Sequence, residues 1–127
     1  MAYVTKDDLI KRFGQEELPE LSGGGDDDDR INALIAQTDA EVDSYLRSGG
    51  YPVPVRGKAA SEIKGFVADM VRYRIADDQS NLSDNIEARF KDARDWFSKI
   101  AKREIVLDCG QYSDSKNKLS SMSVRRT

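Results

Sequence analysis

The chain has 127 residues, with 20 Lys and Arg against 23 Asp and Glu, and its formal net charge is -3. It contains no histidine and one cysteine, Cys109, which excludes histidine-based catalysis, most zinc sites and an internal disulfide. No apolar run approaches the roughly 20 residues that a membrane span needs, and Met1 is not followed by the charged-then-apolar pattern of a signal peptide. We therefore expect a single domain that is cytosolic at least where it is made.

The first predicted helix begins at Lys6 and ends at Gly14. Thr5 and Asp8 form a capping box before it, in which Asp takes the position more often held by Glu. The spacing of Leu9, Ile10 and Phe13 gives this helix one apolar face. A short amphipathic helix is therefore expected at the start of the chain.

The strongest pattern in the sequence predicts a second helix that stops within the stretch Ser48–Gly50. Its apolar positions recur at helical spacing and share one face, and they are Ile31, Leu34, Ile35, Thr38, Val42, Tyr45 and Leu46. The acidic run Asp26–Asp29 predicts an N-cap with charge that suits the helix dipole. Gly49 and Gly50 predict a left-handed exit.

The same acidic run raises the question of a calcium site. It lacks the alternating ligands, the glycine at the sharp turn and the final bidentate Glu of a calcium-binding loop. We therefore expect a solvated helix start and no bound metal or other cofactor. A calcium-dependent module remains an alternative that a calcium titration with a melting measurement would decide.

After the second helix, the segment Tyr51–Val55 alternates apolar residues with Pro52 and Pro54. Each proline removes a backbone donor and forces its predecessor into extended geometry. This segment is predicted to be a stiff connector that is neither helix nor central strand. Its rigidity also suggests a contact edge between subunits, formed by Tyr51, Pro52 and Pro54.

Two further helices are predicted after the connector. The range 59–76 carries a broad apolar stripe and is expected to be the most buried helix. Asp84 and Glu87 can cap a fourth helix, whose packing seam consists of Ile86, Phe90, Ala93, Phe97 and Ile100. The predicted core comprises ten residues from three helices: Leu34, Ile35, Val42, Leu46, Ile63, Val67, Met70, Phe90, Phe97 and Ile100.

Candidate chemistry along the chain is sparse. The aromatic residues fall at core spacing, and Trp96 is expected to be half exposed. The Arg and Lys pairs lie on helices that also carry Asp69, Asp92 and Asp95, which is typical of mixed-charge faces. Cys109 has no base nearby in the sequence. We therefore expect no catalytic site and no enzyme activity.

The last 17 residues, 111–127, differ from the rest in charge. They hold four cations against one carboxylate, a balance of +3, whereas residues 1–110 hold 16 against 22, a balance of -6. Their apolar residues Leu119, Met122 and Val124 are too sparse to form a core. We expect an all-α domain of about four helices over 1–110, followed by an extended arm over 111–127 that either docks on a partner or stays an unstructured tail.

Five stretches and one tryptophan, in order, resemble the Mu-type phage head-tail adaptor family: Ala2–Gly14, Ala33–Leu46, Gly50–Pro54, Asp69–Tyr73, Arg89–Ala93 and Trp96. The resemblance covers about residues 2 to 107. The tail after Gly110 lies outside it.

This resemblance implies a structural virion protein at the interface of phage head and tail. Its copies are expected to form a ring of twelve between the portal protein and a tail-side stopper or neck protein, and DNA would pass through without being bound specifically. Engagement of the portal through the C-terminal part is also implied. The expected contact residues in the arm are Leu119, Met122, Val124, Arg125 and Arg126.

One rival class follows from the charge of the arm. A small helical nucleic-acid-binding or regulatory protein could use the basic tail to hold phosphates. Binding of that kind weakens steeply as the salt concentration rises, so salt-dependent gel shifts would distinguish it.

Overall fold

A computed structural model describes residues 2–14, 17, 28–78 and 81–108. These residues contain four α-helices and no strand, which confirms the predicted all-α helical bundle. In chain order the helices are α1 (Lys6–Phe13), α2 (Asp28–Ser48), α3 (Gly57–Asp78) and α4 (Asp84–Ala101). α2, α3 and α4 pack against one another, and α1 lies across α2 and α3.

The start of α1 forms as the sequence predicts. The Thr5 side chain accepts a hydrogen bond from the Asp8 backbone N–H at 3.2 Å, and the Asp8 carboxylate accepts one from the Thr5 N–H at 2.9 Å. Lys64 of α3 lies 3.2 Å from the same carboxylate. Partial burial opposes ionisation of Asp8, but the bonds from Thr5 and Lys64 outweigh it and lower its pKa.

The exit from α2 uses its two glycines for different reasons. Gly50 takes the left-handed conformation, with φ of +93°, and its N–H donates to the Arg47 carbonyl at 3.0 Å. Gly49 instead permits a close approach to α4, because a Cβ there would lie 2.6 Å from the carbonyl oxygen of Ile100. The predicted exit is confirmed, with the left-handed residue at the second glycine.

Helix α3 is the centre of the bundle, as expected for the most buried helix. It runs two residues further at each end than the predicted range 59–76. Its buried residues occur on several faces because α1, α2 and α4 surround it, and they are Ala59, Ile63, Val67, Ala68, Asp69, Met70, Val71, Ile75 and Ala76.

The N-cap of α4 differs from the prediction. Ser83, and not Asp84, occupies the cap, and its side chain accepts a hydrogen bond from the Ile86 N–H at 3.2 Å. Asp84 is the first helical residue, where its negative charge still suits the helix dipole. The predicted N-cap of α2 lies partly outside the described residues, since Asp26 and Asp27 are not among them.

Eight of the ten predicted core residues are buried, and the exceptions are Leu34 and Phe90, which are half-buried at the edge of the core. Phe90 stacks on Tyr73 with ring centroids 3.8 Å apart. Trp96 is half-buried, as expected, and stacks on Phe66 at 4.1 Å. The aromatic residues therefore belong to packing.

The arginines of α3 pair with carboxylates on other elements, not with the acids of their own helix faces. Arg74 pairs with Glu41 of α2, and its second nitrogen donates to the buried Thr38 hydroxyl at 2.6 Å. Arg94 of α4 lies 3.2 Å from the other Glu41 oxygen. A polar network thus joins the three long helices at one edge of the core.

Replacing a fully buried leucine tests the placement of α2. We expect Leu46→Ala to reduce the free energy of unfolding by about 2 to 5 kcal/mol, because it removes buried methyl groups and leaves a cavity. The matched control is Leu82→Ala, whose side chain is 37 % exposed before α4 and should change stability little. Equal urea midpoints for the two variants would contradict the predicted helix face.

Candidate assembly surface

The proline connector, residues 51–55, alternates between the interior and the surface. Tyr51 and Val55 are buried, at 8 % and 7 % exposure, whereas Pro52 and Pro54 are exposed. The segment is neither helix nor strand, as predicted. Its buried side chains hold it to the domain while the two proline rings face outward.

Tyr51 fastens the connector to the segment that follows α4. Its phenol oxygen accepts a hydrogen bond from the Leu107 backbone N–H at 2.8 Å. Leu107 is buried at 4 % exposure, whereas its neighbour Val106 is 77 % exposed. The chain therefore leaves α4 by packing one residue against the connector and presenting the previous one to solvent.

The next residue is fastened to the first turns of α3. The Asp108 backbone N–H donates to Glu62 at 2.8 Å, and the Asp108 carboxylate lies 3.6 Å from the Lys58 ammonium. We call residues 105–108 the root of the arm. The structure therefore places the root of the predicted arm beside Tyr51, the first residue of the predicted connector, although Leu107 and Tyr51 are 56 positions apart in the sequence.

The N-terminal segment supports the connector from its other end. The Tyr3 hydroxyl donates to an Asp43 oxygen at 2.5 Å and accepts a hydrogen bond from the Val55 backbone N–H at 3.2 Å. The Tyr3 N–H donates to Asp39 at 3.4 Å. One tyrosine thus links the N-terminal segment, α2 and the connector.

The environment of this tyrosine changes two acid–base equilibria. Burial raises the pKa of Asp39 to about 6, helped by the neighbouring Asp43 charge and opposed by the Tyr3 N–H. Burial, followed by the hydrogen bond to Asp43, also raises the pKa of the Tyr3 phenol. The phenol thus keeps its proton, and the hydrogen bond that it donates to Asp43, to a higher pH than an ordinary tyrosine would.

Of the predicted contact residues, the structure places Pro52 and Pro54 on the surface and Tyr51 beneath them. The five arm residues, Leu119, Met122, Val124, Arg125 and Arg126, lie outside the described residues, as does Cys109. Sequence reasoning missed Tyr3, Asp43 and Glu62, because their partners are backbone groups or side chains distant in the sequence. No periodic pattern marks such contacts.

The described residues contain no group of three or more carboxylate or thiol side chains that could hold a metal ion. None of the helices in the same residues is long and apolar enough to cross a membrane. The chemistry that this surface offers is packing of exposed proline and valine side chains, hydrogen bonding and charge.

A model of the family described as Bacteriophage Mu, Gp36 matches residues 3–126. The match continues about 20 residues beyond the region of resemblance, so the tail after Gly110 lies within the family's shared sequence, contrary to the sequence-based expectation. No curated protein and no solved structure matches the chain.

Removing the Tyr51 hydroxyl should release the root of the arm. In Tyr51→Phe the Leu107 N–H loses its partner while buried, which costs about 1 to 3 kcal/mol, and its amide should exchange with solvent faster by hydrogen–deuterium exchange. Tyr73→Phe, which keeps the stacking on Phe90, is the control. Unchanged exchange at Leu107 in Tyr51→Phe would show that this bond does not hold the root.

The raised pKa of Asp39 predicts a pH-dependent loss of stability. The folded chain binds this proton more tightly than the unfolded chain, whose carboxyl titrates at its ordinary value of 3.8, so Asp39 subtracts stability as the pH rises from about 4 to about 6. The urea midpoint of Asp39→Asn minus that of the wild type should therefore increase as the pH rises from about 4 to about 6 and stay constant above that range.

Asp8→Asn is the contrasting variant, because the pKa of Asp8 is lowered. Its stability contribution is present at neutral pH and is lost as the pH falls below the ordinary range of a carboxyl. Asp8→Asn should thus be less stable than the wild type at neutral pH and approach it in acid. Parallel pH profiles for the two variants would contradict the opposite signs assigned to them.

Proposed function

This chain belongs to the bacteriophage Mu Gp36 family, and we propose that it is a structural virion protein that works as a head-tail adaptor. Its copies form a ring of twelve between the portal protein and the tail-side stopper or neck protein. The ring is a conduit through which DNA passes without specific binding. The chain has no role as an enzyme in this account.

The observation that carries the proposal is the fastening of the arm's root. Leu107 is held by the buried Tyr51, and Asp108 is held by Glu62 and Lys58. The described chain therefore ends, at Asp108, in residues that are held to the domain, and the family match continues beyond them through position 126. A defined point of departure favours an arm that reaches a neighbour in a set direction.

The composition of the arm suits a protein partner. Leu119, Met122 and Val124 are spaced so that a groove could take them, and Lys116, Lys118, Arg125 and Arg126 would be steered by an acidic surface. Its docking partner in our proposal is the portal protein.

The connector supplies the second contact of the proposed ring. Pro52 and Pro54 are exposed and conformationally restricted, so little entropy is lost when a neighbouring subunit packs on them. Tyr51 contributes from beneath, because its hydrogen bond to Leu107 sets where the connector lies. A head-to-tail ring needs two different faces on each subunit, and this edge is one of them.

The charge of the domain suits a DNA conduit. Residues 1–110 carry a balance of -6, and a negative wall repels the phosphate backbone instead of holding it. DNA can therefore slide past such a wall without binding to it at a particular sequence or position. The basic arm is directed to the protein partner in this account and not to the passing DNA.

Removing the arm tests the portal contact. A chain ending at Gly110 keeps the whole root, since Leu107 and Asp108 remain, and should be soluble with an unchanged helical circular dichroism signal. It should no longer co-purify with portal-containing particles from infected cells. Truncated protein that assembles normally would contradict the docking arm, and a full-length chain that binds DNA with steep salt dependence would instead favour the nucleic-acid alternative.

The connector is tested separately with Pro52→Ala and Pro54→Ala combined. These exposed changes should leave the helical content of the isolated chain nearly unchanged while weakening ring formation on particles, because the contact edge becomes less rigid. Loss of helical signal in this variant would mean that the prolines serve the fold. Normal rings would mean that the edge is not a subunit contact.

A further inference from the structure

We propose that a pocket lined by arginines binds the acidic run Asp26–Asp29 of a second copy of the chain. The pocket is lined by Arg12, Phe13, Glu17, Arg72, Asn85 and Arg89 and has a volume of about 400 Å³. We call it the arginine pocket. The inference deepens the proposed ring by assigning one contact between adjacent subunits, and it rests on that proposal for its biological setting.

The three arginines come from three different helices. Arg12 is on α1, Arg72 on α3 and Arg89 on α4, so the pocket forms only when the bundle is folded. Gly65 of α3 leaves the space that Arg12 needs, because a Cβ there would lie 3.2 Å from an Arg12 nitrogen. Close packing therefore brings three positive charges together on one surface.

The pocket already holds one carboxylate of its own chain. Glu17 accepts two hydrogen bonds from Arg72, at 2.6 and 3.1 Å, in the bidentate arrangement that guanidinium groups form with carboxylates. The Arg72 guanidinium also lies 4.5 Å from the centroid of the Phe13 ring, which fixes its plane. The chemistry of the pocket is thus suited to carboxylate side chains.

A second carboxylate, that of Asp69, lies beside Arg12 but does not line the pocket. Asp69 is buried, its side chain being 8 % exposed, and its Oδ1 lies 3.6 Å from Arg12 without a hydrogen bond from any described residue. Burial raises the pKa of Asp69, while the charges of Arg12, Arg89 and Arg72 oppose that rise. Among the residues that the structure describes, the three arginines stand against two acids, Glu17 and Asp69, which leaves a surplus of one positive charge.

The surplus is accessible to a partner. The Arg12 side chain is 41 % exposed, and Arg89 is exposed at the surface of α4. Arg72, in contrast, is 13 % exposed and is used by Glu17. An incoming carboxylate would therefore bind between Arg12 and Arg89, with Arg72 and Phe13 forming the floor of the pocket.

A second copy of the chain is the partner that the charges favour. The domain is negative as a whole, which disfavours a polyanion such as nucleic acid as the ligand of one small basic pocket. The same chain carries four consecutive carboxylates at Asp26–Asp29, of which Asp29 is exposed in the first turn of α2. An acidic patch on one copy and a basic pocket on the next satisfy head-to-tail association.

Isotope-resolved crosslinking tests the contact directly. The variant Arg89→Lys keeps the positive charge and provides an amine that a carbodiimide couples to an adjacent carboxylate. Mixed ¹⁴N and ¹⁵N chains, as purified protein and on particles, should give mixed-isotope crosslinks between position 89 and the 26–29 peptide. If both peptides of every crosslink carried the same isotope label, the contact would lie within one chain and the proposal would be overturned. The absence of any crosslink between position 89 and the 26–29 peptide would also overturn it.

Analytical ultracentrifugation measures how much the same contact contributes to the affinity of self-association. Arg89→Glu and the change of Asp26–Asp29 to Asn should each raise the dissociation constant of self-association about tenfold or more, and the two combined should do little more than either alone. Lys91→Glu, an equal charge change at an exposed residue of α4, is the control and should have little effect.

Additive effects in the combined variant, an equal effect of Lys91→Glu, or a wild type that stays monomeric up to millimolar concentration would overturn the pocket contact. The adaptor proposal is judged separately, because the chain ending at Gly110 retains both the pocket and the acidic run. Particles that lose the truncated chain but show no crosslink at position 89 would support the adaptor and reject the pocket.

Discussion

Burial of α3 against the other three described helices is the interaction on which the rest of the structure depends. Its residues Ile63, Val67, Met70 and Val71 are fully buried, and α1, α2 and α4 each pack against part of its surface. The buried apolar residues that the structure describes form one core cluster, so a change that displaces α3 disturbs every helix packed against it. The connector, the root of the arm and the arginine pocket are all built on this helix or at its first turns.

Much of the fold follows from local patterns in the sequence. The helical spacing of Ile31, Ile35, Val42 and Leu46 defines one face of α2, and that face is buried. The capping box at Thr5 and the glycines after Ser48 mark helix ends because they satisfy backbone groups locally. Ser83 displaced Asp84 as the cap of α4, an error of one position between two residues that both cap well.

The candidate surface depends on contacts that local patterns cannot reveal. The prolines of the connector predicted rigidity, but the hydrogen bond from Leu107 to Tyr51 joins residues 56 positions apart. The arginine pocket was also missed, since Arg12, Arg72 and Arg89 lie on three helices and each resembles an ordinary exposed cation in the sequence. Tertiary packing brings such distant residues together, and no periodic pattern in the sequence indicates it.

One physical requirement of the proposed role accounts for both the connector and the root of the arm. An adaptor must hold its neighbours firmly while its own domain stays unchanged, so its contact elements must leave the core from fixed points. Tyr51, Glu62 and Lys58 provide such a point for the proposed arm by holding Leu107 and Asp108, and Tyr3 provides one for the connector by holding Val55. The family match spans residues 3–126 and so covers both the described helices and the sequence that follows Asp108.

Imaging the neck of the phage particle by electron cryomicroscopy tests the central claim most directly. The account predicts a ring of this chain between the portal and the tail-side proteins, with residues after Gly110 in contact with the portal and Pro52 and Pro54 at a boundary between subunits. Particles that contain the chain elsewhere, or that lack it altogether, would contradict the head-tail adaptor.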